Sequence, residues 1–211
     1  MPEPVTRRPI AARGHPLSRW AARRLTAWGV AANAISLASF AFALAAGLLL
    51  ALATRETNLA WLLAALLIEL RLLCNMLDGM VALARGEGSR LGALFNELPD
   101  RFSDIAVLVG LGYAPGSEPW LGFVAALAAV MTAYVSAFGQ AQGQPPDFSG
   151  PFAKPQRMQA VALTSLLCFL LPLFGHDPFA WSLPAWALAV IALGTLLTVA
   201  RRLLRLGRRL S

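Results

Sequence analysis

The side chains that could do chemistry concentrate in one stretch of otherwise apolar sequence. Glu69, Arg71, Asp78, Glu97, Asp100, Arg101 and Asp104 lie within it, joined by Asn75 and Asn96. Ionisable groups inside membrane-length apolar runs are costly and mark function by default. Asn75 and Asp78 are three residues apart, so they share a face of one helix. Asn96, Asp100 and Asp104 are spaced by four and line one face of the next helix, with Gly92 extending that face. Between the two runs lies Gly86-Glu87-Gly88-Ser89, a short breaker. In an antiparallel hairpin centred near Glu87, residues equidistant from the centre sit at matching depth. Asn75 then pairs in level with Asp100 and Asp78 with Asn96, about 15–20 Å from the loop at the helical rise. Arg71 and Asp104 match one turn deeper and read as a structural ion pair. Four oxygen-bearing side chains at one level suit a hard divalent cation. A polar seam that only joins two helices is the plainer alternative.

The elements that must hold these residues are membrane spans. Of 211 residues, 57% are hydrophobic and 14% charged, against roughly 25% charged in an average soluble domain. Mean hydropathy is +0.61. This excludes a soluble globular domain, a disordered chain and a fibrous one. A span needs about 20 apolar residues, and six stretches qualify: 33–54, 59–85, 91–114, 119–140, 156–174 and 183–203. The expected fold is an all-α integral membrane bundle of six helices. Residues 1–32 form a cytoplasmic and interfacial N-terminal segment, 33–203 the bundle and 204–211 a basic tail.

Charge orients the spans. Arg7, Arg8, Arg13, Arg19, Arg23 and Arg24 precede the first, Arg85 and Arg90 flank the loop after the second, and Lys154 and Arg157 follow the fourth. Arg201, Arg202, Arg205, Arg208 and Arg209 end the chain, whereas the remaining connectors hold only Arg55. Basic residues on every second connector put both termini in the cytoplasm. From Pro16 to Trp28, Leu17, Trp20, Ala21, Leu25 and Trp28 recur at helical spacing opposite Arg19 and Arg23, as in a helix lying in the headgroup layer. The N-terminus lacks the short apolar core and cleavage site of a signal peptide. Cys74 and Cys168 lie in apolar runs and make no disulfide framework. The arginines sit at membrane edges, so the +7 net charge does not point to nucleic acid.

At the polar hairpin the chain resembles the CDP-alcohol phosphatidyltransferases, whose signature is D-x2-D-G-x2-A-R-x8-G-x3-D-x3-D. The spacing is matched without a gap, and Asp78, Gly79, Ala82, Gly92 and Asp100 are identical. Asn75 and Asn96 replace the first and third Asp, and Leu83 replaces the Arg. The segment Ala31-Ala-Asn33-Ala-Ile-Ser36 is similar to the family's P-N-x-[IL]-[ST] at the start of the first span. The resemblance implies transfer of a phosphatidyl group from a CDP-diacylglycerol-like donor to a small alcohol, with release of CMP, in phospholipid biosynthesis at the inner or cell membrane. It implies Mg²⁺ or Mn²⁺, one or two ions, held at Asn75, Asp78, Asn96 and Asp100, with Asp100 also the catalytic base. Gly79, Ala82 and Gly92 would give the donor room. Lys154 and Arg157 lie where the family keeps basic residues for phosphate, and Arg85 or Arg90 would have to replace the missing motif arginine. A homodimer is left open.

The two asparagines set this chain apart. They lower the formal charge of the site by two, which predicts weaker or single-metal binding unless Glu97 or Asp104 turns inward. One Asn on each helix, with the rest of the motif in register, reads as an adapted site. The alternative is a catalytically inactive relative that binds lipid or a partner. A small transporter would show inverted repeats, and none is visible.

Overall fold

The computed structural model describes residues 14–56, 58–86, 90–180 and 182–210, with the side chains of 90–96 outside the described part. Arg7, Arg8, Arg13, Glu87, Gly88 and Ser89 therefore fall outside the described residues, as do the side chains of Arg90 and Asn96 and the surroundings of Gly92.

Among the described residues every regular element is helical: α1 (Pro16–Ala27), α2 (Ala32–Leu52), α3 (Asn58–Arg85), α4 (Arg90–Tyr113), α5 (Pro119–Ala141), α6 (Lys154–Leu170) and α7 (Leu183–Leu210). A 3₁₀ turn, Leu171–Phe174, continues α6 and ends at Gly175 in the left-handed region. Five of these helices, α2, α3, α5, α6 with its 3₁₀ extension, and α7, are long and apolar enough to cross a membrane. The fold is thus an all-α membrane protein with a shorter N-terminal helix. α4 has 24 residues, but the charges between Glu97 and Asp104 lower its apolar character. It packs against α2 and α5.

The helices run up and down. The start of α2, the end of α3 and the starts of α4 and α6 therefore share one end of the bundle with the close of α7. At the other end Arg55, after α2, reaches Asp177, before α7, at 3.6 Å. The core joins Leu50 of α2, Trp61 and Ile68 of α3, Leu108 and Leu111 of α4, Met158 of α6, and Leu188 and Ile191 of α7. Leucines also face outward, Leu37, Leu48, Leu127 and Leu193 among them. A bundle apolar inside and out meets lipid rather than water.

Close approach of α2 and α4 fixes the register of the polar hairpin. A Cβ on Gly110 would lie 2.2 Å from the carbonyl oxygen of Gly47. Small residues let membrane helices pack backbone to backbone, where apolar side chains gain little against lipid. α1 docks Ala22 on α3 and leaves Leu17, Trp20 and Trp28 exposed. His15 caps its first turn by accepting from the Leu17 amide at 3.3 Å, and Pro16 supplies the pre-set first position.

α7 extends seven residues past its expected end, to Leu210. Its basic close is used. Arg202 donates to the Thr132 carbonyl at 2.7 Å and the Ser149 carbonyl at 3.0 Å. Arg205 pairs with Asp147 at 2.9 Å. These bonds clamp the connector between α5 and α6 and so help set where Lys154 begins α6.

Candidate active site

The depth matching holds where side chains are described. Asn75 Nδ2 of α3 donates to Asp100 Oδ1 of α4 at 3.0 Å. One turn further in, Arg71 Nη2 meets Asp104 Oδ1 at 2.7 Å. Hairpin symmetry alone accounts for both pairs.

The remaining partners come from helices outside the hairpin. Ser36 of α2 donates to Asp78 Oδ2 at 2.7 Å, and Ser39 donates to Asn75 Oδ1 at 2.9 Å. The two serines are three apart on α2 and supply hydroxyls to successive polar residues of α3. Ser36 closes the P-N-x-[IL]-[ST]-like segment, and its spacing to Ser39 is the signal that could have found the second hydroxyl. From α6, Lys154 Nζ forms an ion pair with Asp100 Oδ2. Arg157 Nη2 reaches Asp104 Oδ2 at 2.9 Å, and its Nη1 reaches the Phe152 carbonyl at 2.8 Å.

Two layers result. The inner one is Arg71–Asp104–Arg157, all but sealed, with side-chain exposures of 0%, 1% and 1%. One carboxylate between two guanidiniums ties α3, α4 and α6 together. Arg71 Nε, Arg71 Nη1 and Arg157 Nε are buried without a hydrogen-bond partner among the described residues. The outer layer is Asp78, Asn75, Asp100 and Lys154. It is open enough for Lys154 and Asp100 to retain 18% and 13% exposure. Pro99 removes one helical donor of α4 beside Asp100. It also helps line an apolar cleft of about 270 Å³ with Asn33, Ala34 and Leu37 of α2.

The other expected site residues lie as follows. Gly79 and Ala82 follow Asp78 on α3, both half-buried. Arg85 Nη1 donates to the Val30 carbonyl at 3.0 Å, tying the end of α3 to the α1–α2 joint. Glu69 faces outward and accepts from Gln159 Nε2 at 3.2 Å. Glu97 pairs with Arg101 at 3.0 Å on an exposed face. Asp104 does turn inward, but both of its oxygens are taken by arginine. Arg90, Gly92 and Asn96 contribute backbone to α4, and the side chains of Arg90 and Asn96 lie outside the described part.

Donor chemistry decides how well a divalent ion fits. Asp78, Asp100 and the Asn75 amide oxygen are hard oxygen donors of the kind magnesium and manganese take. They supply charge for one divalent ion. Among the described residues no group of three or more His, Cys, Asp and Glu could hold a metal.

The chain belongs to the CDP-alcohol phosphatidyltransferase family, whose model matches residues 29–200. It is 32% identical over 164 residues to the inner membrane protein YnbA of Escherichia coli, spanning 78% of this chain and 79% of that one. It is 34% identical over 141 residues to the phosphatidylinositol phosphate synthase of Mycolicibacterium smegmatis, spanning 63% and 61% respectively. In fold it is similar to the Mycobacterium tuberculosis phosphatidylinositol phosphate synthase. The crystal structure of that enzyme with CDP-DAG bound superposes with a TM-score of 0.71 at 22% identity, covering 91% of this chain and 94% of that one. The structure in complex with manganese and citrate gives 0.72 at 23%, covering 90% and 88%. The chain is accordingly a membrane phosphotransferase of this family, whose reaction moves a phosphatidyl group from a CDP-linked lipid to an alcohol.

Proposed function

We propose that this chain transfers the phosphatidyl group of CDP-diacylglycerol to a phosphorylated alcohol and releases CMP. The observation that carries the reading is the Asn75–Asp100 pair on two motif positions, met from α6 by Lys154. Asp100 is the base. It takes the proton of the acceptor hydroxyl as the acceptor oxygen bonds to the lipid-side phosphorus. The bond from that phosphorus to the bridging oxygen then breaks, and CMP leaves with the electron pair. Asn75 and Lys154 hold Asp100 in place from two other helices. The remaining N–H donors of Lys154 suit a phosphate on the acceptor. The relatives named phosphatidylinositol phosphate synthase support an acceptor of that kind. Arg157 serves phosphate only indirectly, because its guanidinium is committed to Asp104 and Phe152.

A divalent ion would be held by Asp78 and Asp100, with Asn75 and Asn96 as neutral oxygen donors, and would offset the donor's diphosphate charge. The small residues Gly79, Ala82 and Gly92 leave room for the cytidine end of the donor. The apolar cleft at Leu37 and Pro99 suits its lipid end.

In this reading all six helices α2 to α7 span the inner or cell membrane, with both termini and the site on the cytoplasmic side. The basic residues gathered at that end of the bundle support it. The test is CMP release by purified protein given CDP-diacylglycerol, Mg²⁺ or Mn²⁺ and a panel of alcohols that includes inositol phosphate and glycerol phosphate. Release with a phosphorylated acceptor is expected. No release with any acceptor would favour the inactive lipid-binding reading.

A further inference from the structure

The Lys154 ammonium and the Asn75 amide occupy both oxygens of Asp100, one from α6 and one from α3. They do so where the family signature would place a fourth carboxylate opposite a first. An Asp at position 75 would aim a carboxylate oxygen at Asp100 Oδ1, a repulsion that only a cation between them could relieve. Asn75 removes that negative charge, and Lys154 adds a positive one on the other side. Both changes act on the same carboxylate in the same direction.

The charges of the whole seam agree with this. Among the described residues facing it, Asp78, Asp100 and Asp104 stand against Arg71, Lys154 and Arg157. The seam is neutral as built. One divalent ion added to it is balanced by the two negative charges of a diphosphate. A second would leave two positive charges uncompensated where solvent screens poorly.

We infer that Lys154 is a built-in counter-cation that takes over the charge of a second metal ion at Asp100, so that this site binds at most one divalent ion. The inference rests on the transferase reading for its reason to bind metal. Its test needs no turnover, so the two can fail separately: absent CMP release counts against the transferase, and the metal titration against Lys154.

The experiment is a Mn²⁺ titration of the purified full chain in detergent, with bound ion counted by electron paramagnetic resonance. The parent is compared with Lys154→Met and Lys154→Arg. Removing one like charge at contact distance in a partly dry site should tighten Mn²⁺ binding about 10-fold or more in Lys154→Met. Lys154→Arg, which keeps the charge, should stay near the parent. A lysine that served only to hold α6 against α4 would give no such gain. Equal or weaker Mn²⁺ affinity in Lys154→Met, or no Mn²⁺ bound by either protein, overturns the inference. So does a parent that binds two ions per chain, a result that stands even if the methionine variant fails to fold.

Discussion

Replacing Asp104 with Asn would leave two guanidiniums facing each other in the sealed inner layer. Asp104 meets Arg71 at 2.7 Å and Arg157 at 2.9 Å, and all three side chains are within 1% of complete burial. Removing one partner of a buried ion pair costs about 3–5 kcal/mol, because the survivor's charge stays desolvated. Here one carboxylate serves two cations, and among the described residues three guanidinium nitrogens already lack partners, which puts the loss at the upper end. For a chain of this length each kcal/mol lowers Tm by about 2–4 °C, so the expected drop is about 10–20 °C. Thermal unfolding in one detergent, followed by tryptophan fluorescence, reads it directly. The companion is the triple variant Arg71→Met, Asp104→Leu, Arg157→Met, which removes every charge while keeping apolar volume. Exchange of a buried triad for packed apolar residues is often neutral or stabilising, so the triple variant should melt well above Asp104→Asn. A single variant within about 2 °C of the parent would refute the assignment of the triad as the tie between α3, α4 and α6. A triple variant as unstable as the single one would refute the desolvation argument.

Two further outcomes are expected. Single cysteines at Glu118 and His176 should be labelled from outside intact cells and one at Gln142 only after permeabilisation; labelling of Gln142 from outside would invert the topology. Asp147, in the connector before α6, is pulled upward by partial burial, but the Ser149 hydroxyl and amide and the Arg205 and Arg202 charges outweigh this and hold it below the usual carboxylate range. A depressed folded-state pKa gives stability that is present above the unfolded value and lost as pH falls through the folded one. Asp147→Asn should therefore lower Tm at pH 7, and the gap to the parent should start to narrow as pH falls below about 4. A gap that does not narrow as pH falls from 7 to well below the usual carboxylate range would contradict the pairing.

The sequence made the hairpin legible because both of its helices are long and the loop between them is short. Asn75 and Asp100, and Arg71 and Asp104, then follow from equal distances along two rods. The motif residues could be placed by spacing alone for the same reason. The other half of the site was hidden because it arrives from helices far away in the chain. Ser36 and Ser39 lie 42 and 36 residues from their partners, and Arg157 lies 53 from Asp104. Periodicity says which face of α6 carries Lys154 and Arg157, not what stands opposite. Read alone, both look like phosphate-binding residues; in the fold they meet Asp100 and Asp104. Counting the 3₁₀ extension of α6, every expected helix boundary agrees to within two residues except the close of α7. At α7 the basic residues read as a tail, yet leucines at 203, 204, 206 and 210 continue the helical pattern.

Asp100 carries the central claim, and its substitution gives the most direct measurement. Parent and Asp100→Asn should be compared for CMP release from CDP-diacylglycerol with a phosphorylated acceptor and Mn²⁺. Tm is measured alongside to show that both are folded. A positioned general base typically contributes about 10²–10⁴-fold, so the account predicts an active parent and a folded variant slower by that factor. A folded Asp100→Asn that releases CMP at the parent's rate would contradict it.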